Sequence, residues 1–259
     1  MSGRRDPAVV IVGHGSRLPA VGADLARLAR TVAAITGFPV VEPSGQADLT
    51  ETLDRLALDA SEILVQPYFL GMVGALALRL RERLERWADG HPAVRISLGE
   101  PLGDHTLVTA AIRDSALQCL AGSKGTVVVV GHGSPDPAWS QSLHVQVRRL
   151  EEAGGFERVI AVFLAHQTPR LEEALDRIDG EVAVVPFFLG RGLHTSVELP
   201  ELLDARRERL HLARFWADDP RIARAVAGQL SLARPFPSTR GIRAPRPSQP
   251  RVRAVSRRG

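Results

Sequence analysis

Two stretches of the chain begin alike: Val9 to Arg17 reads VVIVGHGSR, and Val127 to Pro135 reads VVVVGHGSP. In each, four consecutive β-branched residues run straight into a Gly-His-Gly-Ser turn. A short apolar run closed by glycine is the pattern of a strand buried on both faces, as in a parallel sheet covered by helices. Other landmarks repeat at nearly the same offset: His14 and His132 are 118 residues apart, Pro67 and Pro186 are 119, and Asp104 and Asp219 are 115. So small a drift leaves room for few insertions. The 259 residues therefore read as one unit present twice, each copy of about 120 residues, a common domain size.

The pattern between the landmarks gives the class. In the first copy, strands are expected at 9–12, 40–41, 62–66 and 94–98, alternating with helices at 18–36, 49–60, from Leu76 to Trp87, and 107–120. Leu76, Leu80, Leu84 and Trp87 recur every three or four residues beneath an Arg/Glu face, as an amphipathic helix requires. The second copy repeats the order, with strands at 127–130, 158–164, 181–187 and 210–214 and helices at 138–153, 169–178, 197–209 and 220–232. Strict alternation implies an α/β fold: two tandem flavodoxin-like domains, each a four-stranded parallel sheet with helices on both faces. We expect residues 1–122 as the first repeat, 126–235 as the second, and 236–259 as a disordered basic tail.

Charge supports that division. The net charge is +4 and the pI near 10.3, yet from Phe236 onward there are seven arginines and no acidic residue. Removing those seven charges leaves Met1–Pro235 at −3, so the folded part is mildly acidic. A segment rich in Pro, Arg and Ser cannot bury a core. This argues against nucleic acid as the main partner, although an anion-binding tail is a third reading. Nothing approaches the run of about 18 apolar residues that spans a membrane, and the start lacks a signal-peptide core. The expected location is the cytoplasm. With Cys119 the only cysteine, a metal site must use histidine, carboxylate or the ligand's own nitrogens.

In open α/β sheets ligands bind outside the carboxyl ends of the strands. His132 follows the strand at 127–130, and His194 follows the strand at 181–187, within VPFFLGRGLH. Parallel packing brings both to one edge, where two imidazoles can hold a divalent metal or accept protons near neutral pH. His166 in VFLAHQTP lies beyond a third strand end and is a further candidate. Gly131, Gly133, Gly190 and Gly192 remove side-chain bulk that would keep a flat ligand from the backbone. Ser134, and Ser16 in the first copy, are placed to cap the next helix, whose first N–H groups suit an anion. His105, His144 and His211 read as surface or packing residues.

VGHGSR at 12–17, VGHGSP at 130–135 and PFFLGRGLHTSVELP at 186–200 together resemble the class II tetrapyrrole chelatases, specifically the sirohydrochlorin chelatases of cobalamin and sirohaem biosynthesis. The similarity covers about residues 8–232. Phe188, Leu189, Gly192, His194, Leu199 and Pro200 match the family pattern, and Glu198 stands where the pattern has Asp. The resemblance implies a cleft between the halves that holds the macrocycle. His132 and His194 would act there as base and metal ligands, Glu198 would support His194, and His166 would be a third ligand. Arg17 and Arg191, with His14 on the cleft wall, would meet the substrate's carboxylates. The metal, Co²⁺ or Fe²⁺, is a substrate, and nothing resembles a P-loop, so no nucleotide is expected. Two further positions depart from the family: Ala75 replaces the first-copy counterpart of His194, and Ala165 stands where a glutamate is usual. One site, in the second copy, follows from the first departure. The alternative that both leave open is a tetrapyrrole or metal carrier of the same fold.

Overall fold

The structure, a computed structural model, describes residues 6–13, 19–39, 41–71, 74–204 and 208–236. His14, Ser16 and Arg17 lie outside these residues, as does the tail from 237 onward. The element order is β1 (Ala8–Gly13), α1 (Pro19–Thr36), β2 (Val41–Gly45), α2 (Leu49–Leu56), β3 (Glu62–Pro67), α3 (Gly74–Gly90), β4 (Arg95–Leu98) and α4 (Thr106–Leu120). There follow β5 (Thr126–Gly131), α5 (Gln141–Ala153), β6 (Arg158–Phe163), α6 (Leu171–Leu175), β7 (Val182–Pro186), α7 (Leu199–Asp204), β8 (Leu210–Leu212), α8 (Pro220–Ser231) and β9 (Arg234–Pro235). Single turns of other helix types precede α5, at Pro137–Ser140, and α7, at His194–Glu198.

The expected four parallel strands form in each half, ordered β2-β1-β3-β4 and β6-β5-β7-β8. All six residues of β1 and of β5 are buried, as the uninterrupted apolar runs required. Their side chains divide by parity. Val10 and Val12 face an outer core with Leu49, Leu53, Leu80, Leu84 and Trp87, whereas Val9 and Ile11 face an inner one. In the second sheet, Val128 and Val130 point to an outer core with Leu171, Leu175 and Leu199, while Val127 and Val129 join the same inner core as Val9. The two sheets thus share a central apolar layer.

That layer holds an arrangement the periodicity did not reveal, because the final helices of the two halves are exchanged. Helix α4 packs on β7 and β8 of the second sheet, and α8 packs on β3 of the first. Ser115 Oγ and Cys119 Sγ on α4 donate to the backbone carbonyls of Arg214, at 2.6 Å, and His211, at 3.2 Å. A third tie crosses the halves at the chain's end. Strand β9 pairs antiparallel with β4, making the first sheet five-stranded. Phe236 N then donates to Ile96 O at 2.8 Å, and its ring packs on the first sheet's outer core. Phe236, expected as the start of the tail, is therefore held by the first sheet. Two residues are too short a strand for any alternation to announce it.

Candidate active site

Strand order places the histidines. In the second sheet the chain leaves β5 for β6 on one side and returns to β7 on the other, so the direction of winding reverses between β5 and β7. That switch point opens a crevice at the strand carboxyl ends. Val130 lies opposite Pro186 and Gly131 opposite Phe163, and Phe187 N donates to Val130 O at 2.8 Å. His132 is the first residue beyond β5, while His194 begins the turn before α7. Their rings meet at a centroid separation of 4.8 Å and an angle of 61°. Phe188 also lies near His194, with ring centroids 6.0 Å apart and an angle of 29°.

Hydrogen bonds set the protonation pattern of both rings. His194 Nδ1 is 2.6 Å from Glu198 Oε2, one helical turn on. His132 Nδ1 is 2.8 Å from the Gly133 carbonyl oxygen. A carboxylate and a carbonyl can only accept, so each Nδ1 carries a hydrogen, which in the neutral imidazole leaves the lone pair on Nε2. With metal–nitrogen bonds of about 2.1 Å, two imidazoles on adjacent positions of one ion have centroids roughly 4.6–5.2 Å apart, and the observed pair falls within that span.

His166 does not complete a cage. Its ring is 6.2 Å from His132, it follows β6 rather than flanking the switch point, and its backbone sits at φ 61°. Gln167 N reaches back to Ala165 O at 2.7 Å, so His166 is the apex of a tight turn. Among the described residues no three His, Cys, Asp or Glu side chains converge as a metal site. The ring of the expected third ligand thus lies farther from His132 than the ring of His194 does.

The glycines serve two different purposes. A Cβ on Gly131 would lie 2.6 Å from Leu143 of α5, and one on Gly133, at φ +83°, would lie 1.9 Å from the Ala165 carbonyl oxygen. Gly133 is therefore required by the chain's own packing, where backbone meets backbone at a left-handed φ, whereas at Gly131 the neighbour is the movable end of the Leu143 side chain. A Cβ on Gly192 would meet nothing within 4 Å, which leaves that backbone open to an incoming group. Ser134 also differs from expectation. Its Oγ accepts from Asp136 N at 3.2 Å, while Asp136, through Ala138 N, caps the short turn before α5. Ser134 N instead donates to Gln167 Oε1 at 3.1 Å, and Gln167 Nε2 donates to Ser140 Oγ at 2.8 Å. Gln167, which the sequence did not single out, joins the loops after β5 and β6.

Arg191 is engaged already. Its Nη1 donates to Asp24 Oδ2 at 3.1 Å, its Nη2 donates to Asp218, and its guanidinium lies 5.1 Å from the Phe215 ring centre. Neither described cavity is lined by the paired histidines. One of about 440 Å³ runs between Asp104 and Trp139, His144 and Arg148, and one of about 200 Å³ lies beside Tyr68 and Phe215. Among the described residues, His132 is exposed and His194 half-buried, so the pair is reachable from solvent. Ala75, the counterpart of His194, is exposed at the start of α3, beside Gly74, which Trp139 covers.

Known proteins share this architecture and this sequence pattern. The sirohydrochlorin ferrochelatase of Bacillus subtilis is 25% identical over 235 residues, which cover 86% of this chain and 90% of that protein. The sirohydrochlorin cobaltochelatase of Methanopyrus kandleri is 36% identical over 87 residues, 32% of this chain and 60% of the relative. Among solved structures, SirB from Bacillus subtilis with Fe³⁺ superposes with a TM-score of 0.74 at 23% identity, over 87% of this chain and 94% of that one. CbiX, described as the terminal enzyme for siroheme biosynthesis in denitrifying bacteria, gives 0.70 at 19% identity, over 87% and 98%. These superpositions establish the fold. The sequence model of the CbiX family matches residues 8–119 and again 126–232, the same two copies that the strand-to-turn repeat marks, and the chain belongs to the CbiX family.

Proposed function

We propose that the chain is a sirohydrochlorin chelatase, inserting Co²⁺ or Fe²⁺ into the macrocycle without a nucleotide. The observation that carries the reading is the His132–His194 pair, 4.8 Å apart at the switch point of the second sheet. Insertion exchanges two pyrrole N–H protons for one divalent ion, so the site must hold a metal loosely and accept protons. Two neutral imidazoles with free Nε2 atoms can do both in turn. A closed four-ligand cage would retain the ion; an open pair leaves positions for the ring nitrogens to take over. Glu198 holds the His194 tautomer and raises its basicity as a ligand. Gly192 lets the macrocycle approach.

This reading treats residues 1–122 and 126–235 as the duplicated units, the second carrying the site, with a basic extension after Phe236. A cytoplasmic location accompanies it; among the described residues no helix is long and apolar enough to cross a membrane. Anaerobic mixing of the purified protein with sirohydrochlorin and Co²⁺ or Fe²⁺, followed by absorbance, tests substrate, metal and catalysis together. Metal-dependent conversion of the macrocycle spectrum, faster than the uncatalysed reaction, is the expected result. Ala165 and the open pair favour one rival, a carrier. Tight macrocycle binding with no acceleration of insertion would establish the carrier and refute the chelatase.

A further inference from the structure

We propose that Arg191 is a positioning residue: it locks the loop Gly190–Leu193 to the first half of the chain and so fixes where His194 stands. The inference rests on the assignment of His132 and His194 as the metal site. The loop connects the end of β7 to the turn that His194 opens, and glycines 190 and 192 deprive it of side-chain anchors. Its own hydrogen bonds are internal. Gly192 N donates to Gly190 O at 3.0 Å, and Thr195 Oγ1 donates to the Gly190 and Gly192 carbonyls at 3.3 and 3.2 Å. These bonds shape the loop and would travel with it if it moved.

Arg191 reaches out of the loop. It contacts Asp24 on α1, 167 residues earlier in the chain, and Asp218, just after Trp216. Arg27 Nη2 lies 3.0 Å from Asp24 and 3.2 Å from Asp218. Two arginines and two aspartates therefore alternate around a closed ring that joins α1 of the first half to the histidine-bearing loop of the second. The ring is neutral, so Arg191 offers no uncompensated charge to a substrate carboxylate. Its members are partly exposed, and single pairs of that kind add little stability. What the ring supplies is direction: a planar fork spanning two carboxylates while lying over the Phe215 ring has few alternative poses. A lysine cannot reproduce it. Arg191 precedes His194 by three residues, so displacement of one carries the other.

The test compares full-length wild type with Arg191→Lys, Arg191→Ala and Asp24→Asn. Hydrogen–deuterium exchange is followed in peptides covering 187–200, Co²⁺ is titrated without tetrapyrrole by visible absorption, and insertion kinetics are measured last. Exchange across 190–198 should rise about tenfold in both Arg191 variants while the β7 peptides hold. Co²⁺ affinity should fall about tenfold, the lower range for losing an orienting partner. KM for sirohydrochlorin should stay within about twofold of wild type. Unchanged exchange would overturn the proposal. So would a KM for sirohydrochlorin raised about tenfold with Co²⁺ affinity intact, since that marks a carboxylate-binding residue. Should Arg191→Ala fail to fold, Arg191→Lys and Asp24→Asn give the same comparison. A wild type that binds Co²⁺ without inserting it would refute the chelatase reading and leave the exchange result to decide the role of Arg191.

Discussion

Gly133→Ala separates a structural requirement from a ligand requirement. The residue sits at φ +83°, and the added Cβ would lie 1.9 Å from Ala165 O, whereas ordinary contact begins at 3.4 Å. The left-handed conformation alone costs a residue with a Cβ about 1–2 kcal/mol. The loops after β5 and β6 must also part by about 1.5 Å, which breaks the 2.8 Å bond from Ala165 N to His132 O at a further cost of about 0.5–1.5 kcal/mol. The sum, about 1.5–3.5 kcal/mol, should lower Tm by several degrees. Because His132 moves with its loop, kcat/KM for insertion should fall roughly 10²-fold, as for a misplacement of about 1 Å. Gly192→Ala, with open space around the new Cβ, should leave Tm within about 1 °C of wild type. Thermal unfolding by circular dichroism, with Co²⁺ titration as the geometric readout, decides the matter. A Gly133→Ala protein with the Tm and Co²⁺ affinity of wild type would refute the reasoning.

Three further outcomes are expected. Glu198→Ala should weaken Co²⁺ binding by about 10–100-fold, and Glu198→Gln by less, because an amide oxygen still accepts from His194 Nδ1; equal, unperturbed affinities in a titration would contradict the tautomer assignment. His105 caps α4 by accepting from Leu107 N at 3.1 Å, and burial, assisted by Arg149, holds its pKa below the ordinary value of 6.5. The unfolded chain therefore takes up a proton that the folded cap resists, so this contribution is complete above about pH 6.5 and declines as pH falls; His105→Asn should lose less stability between pH 7 and 5 in urea titrations, and an unchanged slope would exclude the cap. A chain ending at Phe236 should melt like the full chain, whereas one ending at Ala233, lacking β9 and the Phe236 contact, should melt a few degrees lower for a loss of about 1–2 kcal/mol; equal Tm values would show β9 to be dispensable.

The pairing of His132 with His194 was readable because it depends on local signals, a strand followed at once by its turn, and on a topological rule for parallel sheets. The burial of β1 and β5 on both faces was readable for the same reason. The exchange of α4 and α8 was not, since an amphipathic stripe states that a face is buried without naming the sheet it meets. The partners of Arg191, Asp24 and Asp218, were not readable because Asp24 lies 167 residues away in the chain and Asp218 27. Ser134 and Asp136 are both good caps two residues apart, and only the Pro137–Ser140 turn selects the second. Gly133 was singled out for its lack of bulk, but the close approach of the Ala165 carbonyl oxygen is a long-range contact that no local signal announces.

On the proposed function, His132 and His194 act together as proton acceptor and metal-holding site. The most direct test of that role is the anaerobic rate of Co²⁺ insertion into sirohydrochlorin by His132→Ala and His194→Ala, each with its Tm measured alongside. Both half-exposed rings can be removed without opening a core, so each variant should stay folded while insertion falls by at least about 10²-fold. Turnover at the wild-type rate in both folded variants would contradict the account.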